Sequence, residues 1–239
     1  MTDEEIAAAA LAVDPDRSNI IVCVGTKGSG KSEVGRVIFD SWPYDRAVID
    51  VTGDAKPTDP HTRAMITPWP ATLPEADPKV DGGGRVTAWL RVDSRSATYE
   101  EDQDQALALG LYPRHRNTLI WVDEYAAMAT AARIPPNLRL ALQSSRHYSL
   151  TLVLCFPRPK YVPVLTIAQA DKIFVFRTPN KSDRETLADN AGYPFPEFER
   201  AYHDTMARDP HAFLLWDSRQ RRLLSCPPLP ITQTHGPRA

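Results

Sequence analysis

No run in this chain approaches the roughly 20 consecutive apolar residues that a membrane-spanning helix needs. The opening residues, MTDEEIAAAALAVDPDR, carry acid where a secretion signal carries base, and their apolar stretch is short. They read as a short surface helix in an N-terminal extension covering 1–17. Cysteine is scarce: Cys23, Cys155 and Cys226 stand far apart, with no pair at metal-ligand spacing. That excludes a disulfide scaffold and a zinc module, and an odd count fits a reducing compartment such as the cytoplasm. Cys23 and Cys155 lie inside apolar runs and read as small core residues. The histidines form no ligand constellation. A surplus of base is missing too: 28 Lys and Arg against 30 Asp and Glu leave a net charge of -2. The surface as a whole is therefore not a nucleic-acid surface, and any such contact must come from local basic patches.

The 239 residues, 42% of them hydrophobic, suffice for one sizeable α/β domain with a full core, expected over 18–226. Prolines gather in 57–78, 157–163 and 227–237, which read as loops and, from 227 to 239, as a C-terminal tail. The patterning predicts strands at 19–24, 46–51, 85–92, 119–122, 150–156 and 172–176. Helices are expected at 31–41, 99–111, 124–132, 137–146, 182–191 and 197–208. A closing hairpin, 211–216 with 219–224, is placed around Asp217-Ser218. Strands alternating with helices imply a mostly parallel central sheet flanked by helices on both faces.

Two motifs carry chemistry. The run Gly25-Thr26-Lys27-Gly28-Ser29-Gly30-Lys31-Ser32 matches G-x-x-x-x-G-K-[ST] in full, with a strand before it and a helix after it. Glycines let the backbone wrap closely around phosphate oxygens, and the helix N-terminus adds partial positive charge. Lys31 can then reach the β- and γ-phosphates of ATP, and the Ser32 hydroxyl can ligate Mg2+. Further on, Thr118-Leu-Ile-Trp-Val-Asp123-Glu124 places two carboxylates directly after an apolar strand. Asp123 is the candidate magnesium carboxylate and Glu124 the candidate general base for an attacking water. The bland alternative is an acidic first turn of a helix, where carboxylates are also favoured.

Together with two further stretches, these motifs resemble the HerA/FtsK superfamily of ring-forming DNA pumps, most closely its small viral genome-packaging ATPases. Ile49-Asp50-Val-Thr-Gly53-Asp54 is similar to that family's D-x-x-G-E/D at the end of its second strand. SSRHYSLTLVLCFPRP followed by IAQADKIFVFRTPNKSDRETL is similar to its Arg-strand-sensor segment, its Q-x-[DN]-x-I and its Arg before a D-R helix. The resemblance implies a RecA-like (ASCE) P-loop core that hydrolyses ATP with Mg2+. It also implies a homo-oligomeric ring, a pentamer or hexamer, acting on double-stranded DNA. A viral member would work in the host cytoplasm or at a capsid vertex, beside a portal protein.

By the same resemblance Arg146 is an arginine finger reaching a neighbour's γ-phosphate, unless it merely closes a helix C-terminus. Arg177 is a second candidate, with a structural pairing to Asp183 or Glu185 as its alternative. Asp54 is either a further carboxylate near the phosphates or an exposed turn residue. One position departs from the family: where it has a sensor Gln, this chain has Pro157, whose side chain can neither donate nor accept a hydrogen bond. A motor indifferent to sequence touches phosphates rather than base edges. The candidate donors are Arg133, Arg139, Arg158 and Lys160, each weighed against an ordinary solvated surface charge. Rival readings are a nucleotide kinase, which needs an Arg-rich lid that is not evident, and an ATP-binding assembly subunit without turnover.

Overall fold

The computed structural model describes residues 2–50, 87–91, 101, 104, 107, 117–125 and 133–229. Its centre is an eight-stranded sheet in the order β3-β2-β4-β5-β1-β6-β7-β8. The strands are β1 (Ile20–Val24), β2 (Arg46–Asp50), β3 (Thr87–Arg91), β4 (Thr118–Asp123), β5 (Leu150–Phe156), β6 (Lys172–Val175), β7 (Phe213–Asp217) and β8 (Arg222–Cys226). β1 to β6 run parallel; β7 and β8 add antiparallel at one edge. Every residue of β1, β2, β4 and β5 is buried, the signature of strands covered on both faces.

Among the described residues, the cover comes from α1 (Asp3–Leu11), α2 (Lys31–Ser41), α3 (Pro136–Ser144), α4 (Val164–Gln169), α5 (Lys181–Ala191) and α6 (Phe195–Met206). Alternation along β1 sorts them into two layers. Ile21 and Cys23 join the cluster of α1 and α2, with Val34, Ile38 and Phe39. Ile20, Val22 and Val24 join the cluster of α3 to α6, with Leu138, Ile167, Leu187 and Phe198. Such period-two sorting is what a strand between two helical layers must show. The helix that follows β1 lies on one face and the α4 connection that follows β5 on the other, so a crevice opens between the carboxyl ends of these adjacent strands.

Several expectations shift. The helix expected at 124–132 does not begin at Glu124, which sits in a turn at φ +59; residues 126–132 lie outside those described. A left-handed residue flips the chain there, so that Asp123 ends its strand beneath α2 while Tyr125 buries in the opposite cluster. The helix expected to reach Arg146 ends at Ser144. Its N-cap is a proline without a capping side chain; Asp104, on a helical segment with Glu101 and Leu107, accepts from the Asn137 and Leu138 amides instead. The hairpin turn comes one step later than expected, over 218–221. Short α4, between prolines and an Ala-Asp pair, was not anticipated. The N-terminal helix exists, with a Thr2–Glu5 capping box. It is not merely a surface element: Ala7 and Ala10 are buried, and the Lys172 ammonium donates to the carbonyls of Ala10 and Ala12 at 2.8 and 2.7 Å.

Candidate active site at the carboxyl edge of the sheet

The Gly25–Ser32 loop leaves β1 at that crevice. Its entry is tied on both sides: the Gly25 amide donates to Phe156 O at 3.2 Å and the Thr26 amide to Arg177 O at 2.9 Å. Gly25 cannot be replaced, because a Cβ there would stand 2.7 Å from the Cβ of Phe176. Gly30, the N-cap of α2, is left-handed at φ +109, which only glycine adopts without strain. Ser29 is buried beneath the loop, Thr26 is half-buried, and Lys27 and Gly28 are exposed at its apex. The Lys27, Gly28 and Gly30 amides find no backbone acceptor among the described residues. Together with the free first-turn amides of α2 they are the donors a phosphate chain requires. Lys31 folds back across the loop to donate to Thr26 O at 2.9 Å, which holds its ammonium over the loop mouth.

The second motif meets the first through a close packing contact. Gly35 lies one turn after Ser32, and a Cβ there would come within 2.3 Å of the Trp121 indole. Trp121 in turn lies two residues before Asp123, on the same face of β4. The bare glycine lets α2 settle onto β4, and the settling brings Ser32 to Asp123. The Ser32 hydroxyl donates to Asp123 Oδ1 at 2.8 Å across 91 residues of sequence. Arg46 fastens the far end of α2, donating to Phe39 O and Asp40 O at 2.6 and 3.0 Å.

One carboxylate was missed. Asp50 closes β2 in register with Asp123, is fully buried and shares the α2 face with Val48. Its motif resembles the family's D-x-x-G-E/D, in which the sequence points to Asp54, and Asp54 lies outside the described residues. The signal was available: Asp50 is the last residue of a strand that adjoins the Asp123 strand. Burial pushes the Asp123 carboxyl up to about 6; the charges of Asp50 and Glu124 act in the same direction, while the Ser32 hydroxyl and Lys31 hold it down. A buried carboxylate cluster of this kind calls for a cation. A hydroxyl and a carboxylate oxygen converging at a phosphate loop fit Mg2+, which takes few protein oxygens and keeps water and phosphate for the rest.

No family model matches the chain, and no curated protein sequence does. Solved structures do. The genome packaging NTPase B204 from Sulfolobus turreted icosahedral virus 2, solved in complex with ATP-γS, aligns over 90% of this chain and 99% of its own at 19% identity and a TM-score of 0.65. The chain has a P-loop ATPase fold. EssC from Geobacillus thermodenitrificans (ATPases 2 and 3) aligns over 92% of this chain and 41% of its own, at 13% identity and a TM-score of 0.52. The pCW3 conjugation coupling protein TcpA, with ATP-γS, aligns over 85% and 58%, at 14% and 0.50.

On this fold the remaining candidates separate by edge. Arg158 and Lys160 follow β5 at the carboxyl edge, beside Pro157 and the loop. Arg158 is bound by two bonds to Asp183, at 3.0 and 3.2 Å, so it is a structural cation first. Lys160 is exposed, 5.9 Å from the Tyr161 ring centre. Arg177 does not pair with Asp183 or Glu185, which are taken by Arg158 and Lys181. It is exposed at the end of β6, with no hydrogen bond or ion pair of its side chain among the described residues. The Asp-Arg pair of α5 clamps both flanking loops: Asp183 holds the first, and buried Arg184 donates to Thr178 O and Pro179 O while bound to Glu199. Arg133 and Arg139 are exposed, Arg139 on α3. Arg146 stands apart from all of these, in the turn before β5, at the opposite edge of the sheet.

Proposed function

We propose that the chain is an ATP-driven motor that translocates double-stranded DNA as a ring of identical subunits, with viral genome packaging as its task. The observation that carries the reading is the Ser32–Asp123 hydrogen bond: two distant motifs meet at one point, on a glycine loop built for phosphate, with Glu124 adjacent. Lys31 offsets charge on the β- and γ-phosphates. Ser32 and Asp123 would hold Mg2+, which when bound neutralises charge that develops between those phosphates. Glu124, half-buried in its left-handed turn, polarises the attacking water. A non-glycine residue at positive φ costs about 1 kcal/mol or more and is the kind of strain that functional turns carry.

Arg146 completes the site from a neighbour. Seven residues of β5 separate it from the carboxyl edge. At about 3.3 Å per residue that is roughly 20 Å, several times the reach of an arginine side chain, so Arg146 cannot serve its own loop. Its placement therefore suits a head-to-tail ring, in which one subunit's amino edge faces the next one's phosphate site. Pro157 leaves the sensor position without a polar group, and Arg177, exposed past the end of β6 on the other side of β1, is the candidate to take that role. The fold's relatives include a genome packaging NTPase and a conjugation coupling protein, which favours nucleic acid over a small acceptor. A capsid vertex or portal protein is the recruiting partner that packaging implies.

The test is the ATPase rate with and without double-stranded DNA, on protein whose oligomeric state is measured alongside. The expected result is turnover that rises with DNA and with assembly, and DNA affinity that falls with salt at a log–log slope of about -0.9 per phosphate contacted. DNA-independent transfer of phosphate to a nucleoside would establish a kinase instead, and tight ATP binding without turnover an assembly subunit.

A further inference from the structure

A cavity of about 470 Å³ opens at the amino edge of the sheet, and three of the side chains lining it are arginines: Arg17, Arg146 and Arg219. Their charges are not equivalent. Arg219 is spent on Asp171 at 2.7 Å and on Ser18 O at 3.0 Å. Asp16, the acid of the rim, is engaged by the Tyr44 hydroxyl. The side chains of Arg17 and Arg146 are exposed and make no hydrogen bond or ion pair among the described residues. Two arginines without an ion-pair partner among the described residues therefore share one concave surface, where three arginines outnumber the Asp16 carboxylate and the Asp171 that Arg219 binds.

The backbone beneath Arg17 is held with unusual care. Its carbonyl accepts from the amide side chains of Asn19 and Asn117, each at 2.5 Å, and from the Thr151 hydroxyl at 3.4 Å. Asn19, Asn117 and Thr151 are all buried, and Thr151 is fully so. Next in the chain, the Ser18 hydroxyl donates to Ser145 O, beside Arg146. Burying three polar side chains is costly unless each is satisfied, and apolar residues would pack the base of the sheet at less cost. What this network achieves is to set the Arg17 backbone at a fixed place relative to the Arg146 turn. Fixed supporting bonds of this kind are how a charged side chain is preorganised for a partner.

We infer that this cavity is the receiving side of the subunit contact, and that Arg17 acts beside Arg146 as a second cation presented to the phosphate-bearing edge of a neighbouring copy of this chain. The inference rests on the motor reading above. The facing edge supplies the complement: beside its own loop lysines it carries half-buried Glu124 and would carry the oxygens of a bound polyphosphate, the groups a cation from a neighbour would meet. It also gives the N-terminal extension a role in the shared site.

The test uses the full chain with Arg17→Ala, with Arg200→Ala, an exposed α6 arginine away from the cavity, for comparison. The stitching bonds go to the Arg17 carbonyl, so the side chain can be removed without unpicking them. Arg17→Ala should bind a fluorescent ATP analogue as wild type does, while turnover falls about 10- to 100-fold, the scale of one charge-assisted hydrogen bond. Mixing it with Glu124→Gln chains should recover activity, because those chains carry an intact Arg17 to the mutant's site. Wild-type turnover in Arg17→Ala overturns the inference. So does lost turnover that mixing never restores, or a variant whose defect is confined to DNA binding, which would assign the cavity to DNA phosphates. A wild type without any turnover refutes the motor reading itself, and is seen before a variant is made.

Discussion

If Arg146 works across a subunit boundary, two inactive variants must repair one another. Glu124→Gln keeps size and shape but removes the base, and general-base assistance is worth about 10²–10⁴-fold. Arg146→Ala removes the finger, and fingers of this type are worth about 10³–10⁵-fold. Either homogeneous ring should therefore run at about 1% of wild type or less. In a mixed ring a site is whole where an Arg146→Ala subunit, which has the base, faces a Glu124→Gln subunit, which has the finger. With random order and a fraction f of one variant, whole sites follow f(1 − f), peaking at about one quarter of all interfaces at equal mixing. The structure allows no other source of repair, since the length of β5 separates Arg146 from its own loop. The assay is phosphate release at constant total protein over a series of mixing ratios, with subunit exchange verified by fluorescence energy transfer between labelled chains. A ring whose sites fire in strict sequence lowers the peak but leaves it at the same midpoint. Exchange without any recovered activity would refute the argument and return Arg146 to the status of a turn residue.

Lys31→Ala should abolish tight ATP binding, read by titration with a fluorescent analogue, because it removes the cation over the loop mouth; unchanged affinity would show that the loop does not hold phosphate. In metal-free protein the Asp123 carboxyl, raised from 3.8 to about 6, favours the fold fully below pH 3.8 and loses that contribution as pH rises through about 6. Asp123→Asn, which still accepts from Ser32, should therefore gain stability over wild type as pH goes from 3 to 8, by on the order of 3 kcal/mol at most, about half of it above pH 5; urea denaturation at several pH values checks it, and a pH-independent difference would refute it. Gly35→Ala should destabilise by about 1–3 kcal/mol, since its methyl would collide with buried Trp121. If α2 moves off β4 to relieve the clash, Mg2+-dependent nucleotide binding weakens with it, and a variant as stable and as tight as wild type would show that this contact does not set the site.

The phosphate loop and the Asp123-Glu124 pair were legible from residues alone because their signals are local. A glycine pattern between an apolar strand and a helix, or two acids after four apolar residues, needs no knowledge of the rest of the chain. The same holds for β1, β2, β4 and β5, whose apolar runs define fully buried elements, and for α2, whose predicted span matches the observed Lys31–Ser41. Short α4 escaped because six residues between breakers carry too little periodicity to distinguish a helix from a loop. Glu124 was misplaced at the head of a helix because an acid after a strand looks alike in a helix and in a left-handed turn.

Pairing, register and edge were decided in three dimensions. Residue spacing could not say that Arg158 rather than Arg177 would take Asp183; the pairing follows from the 159–161 turn after β5 packing against α5. Nor could it say that Asp50 would end level with Asp123, a consequence of β2 lying beside β4 in parallel register. The N-terminal segment reads as a solvated appendage, yet it is stitched to residues a hundred or more positions away. Arg146, Pro157 and Arg177 look like neighbours along one motif, but strand β5 puts the first on the opposite edge of the sheet from the other two. Local composition determines which elements form. Which side chains meet depends on the order in which parallel strands stack, and that order is set by burying both faces of the sheet at once, a condition no short segment can express.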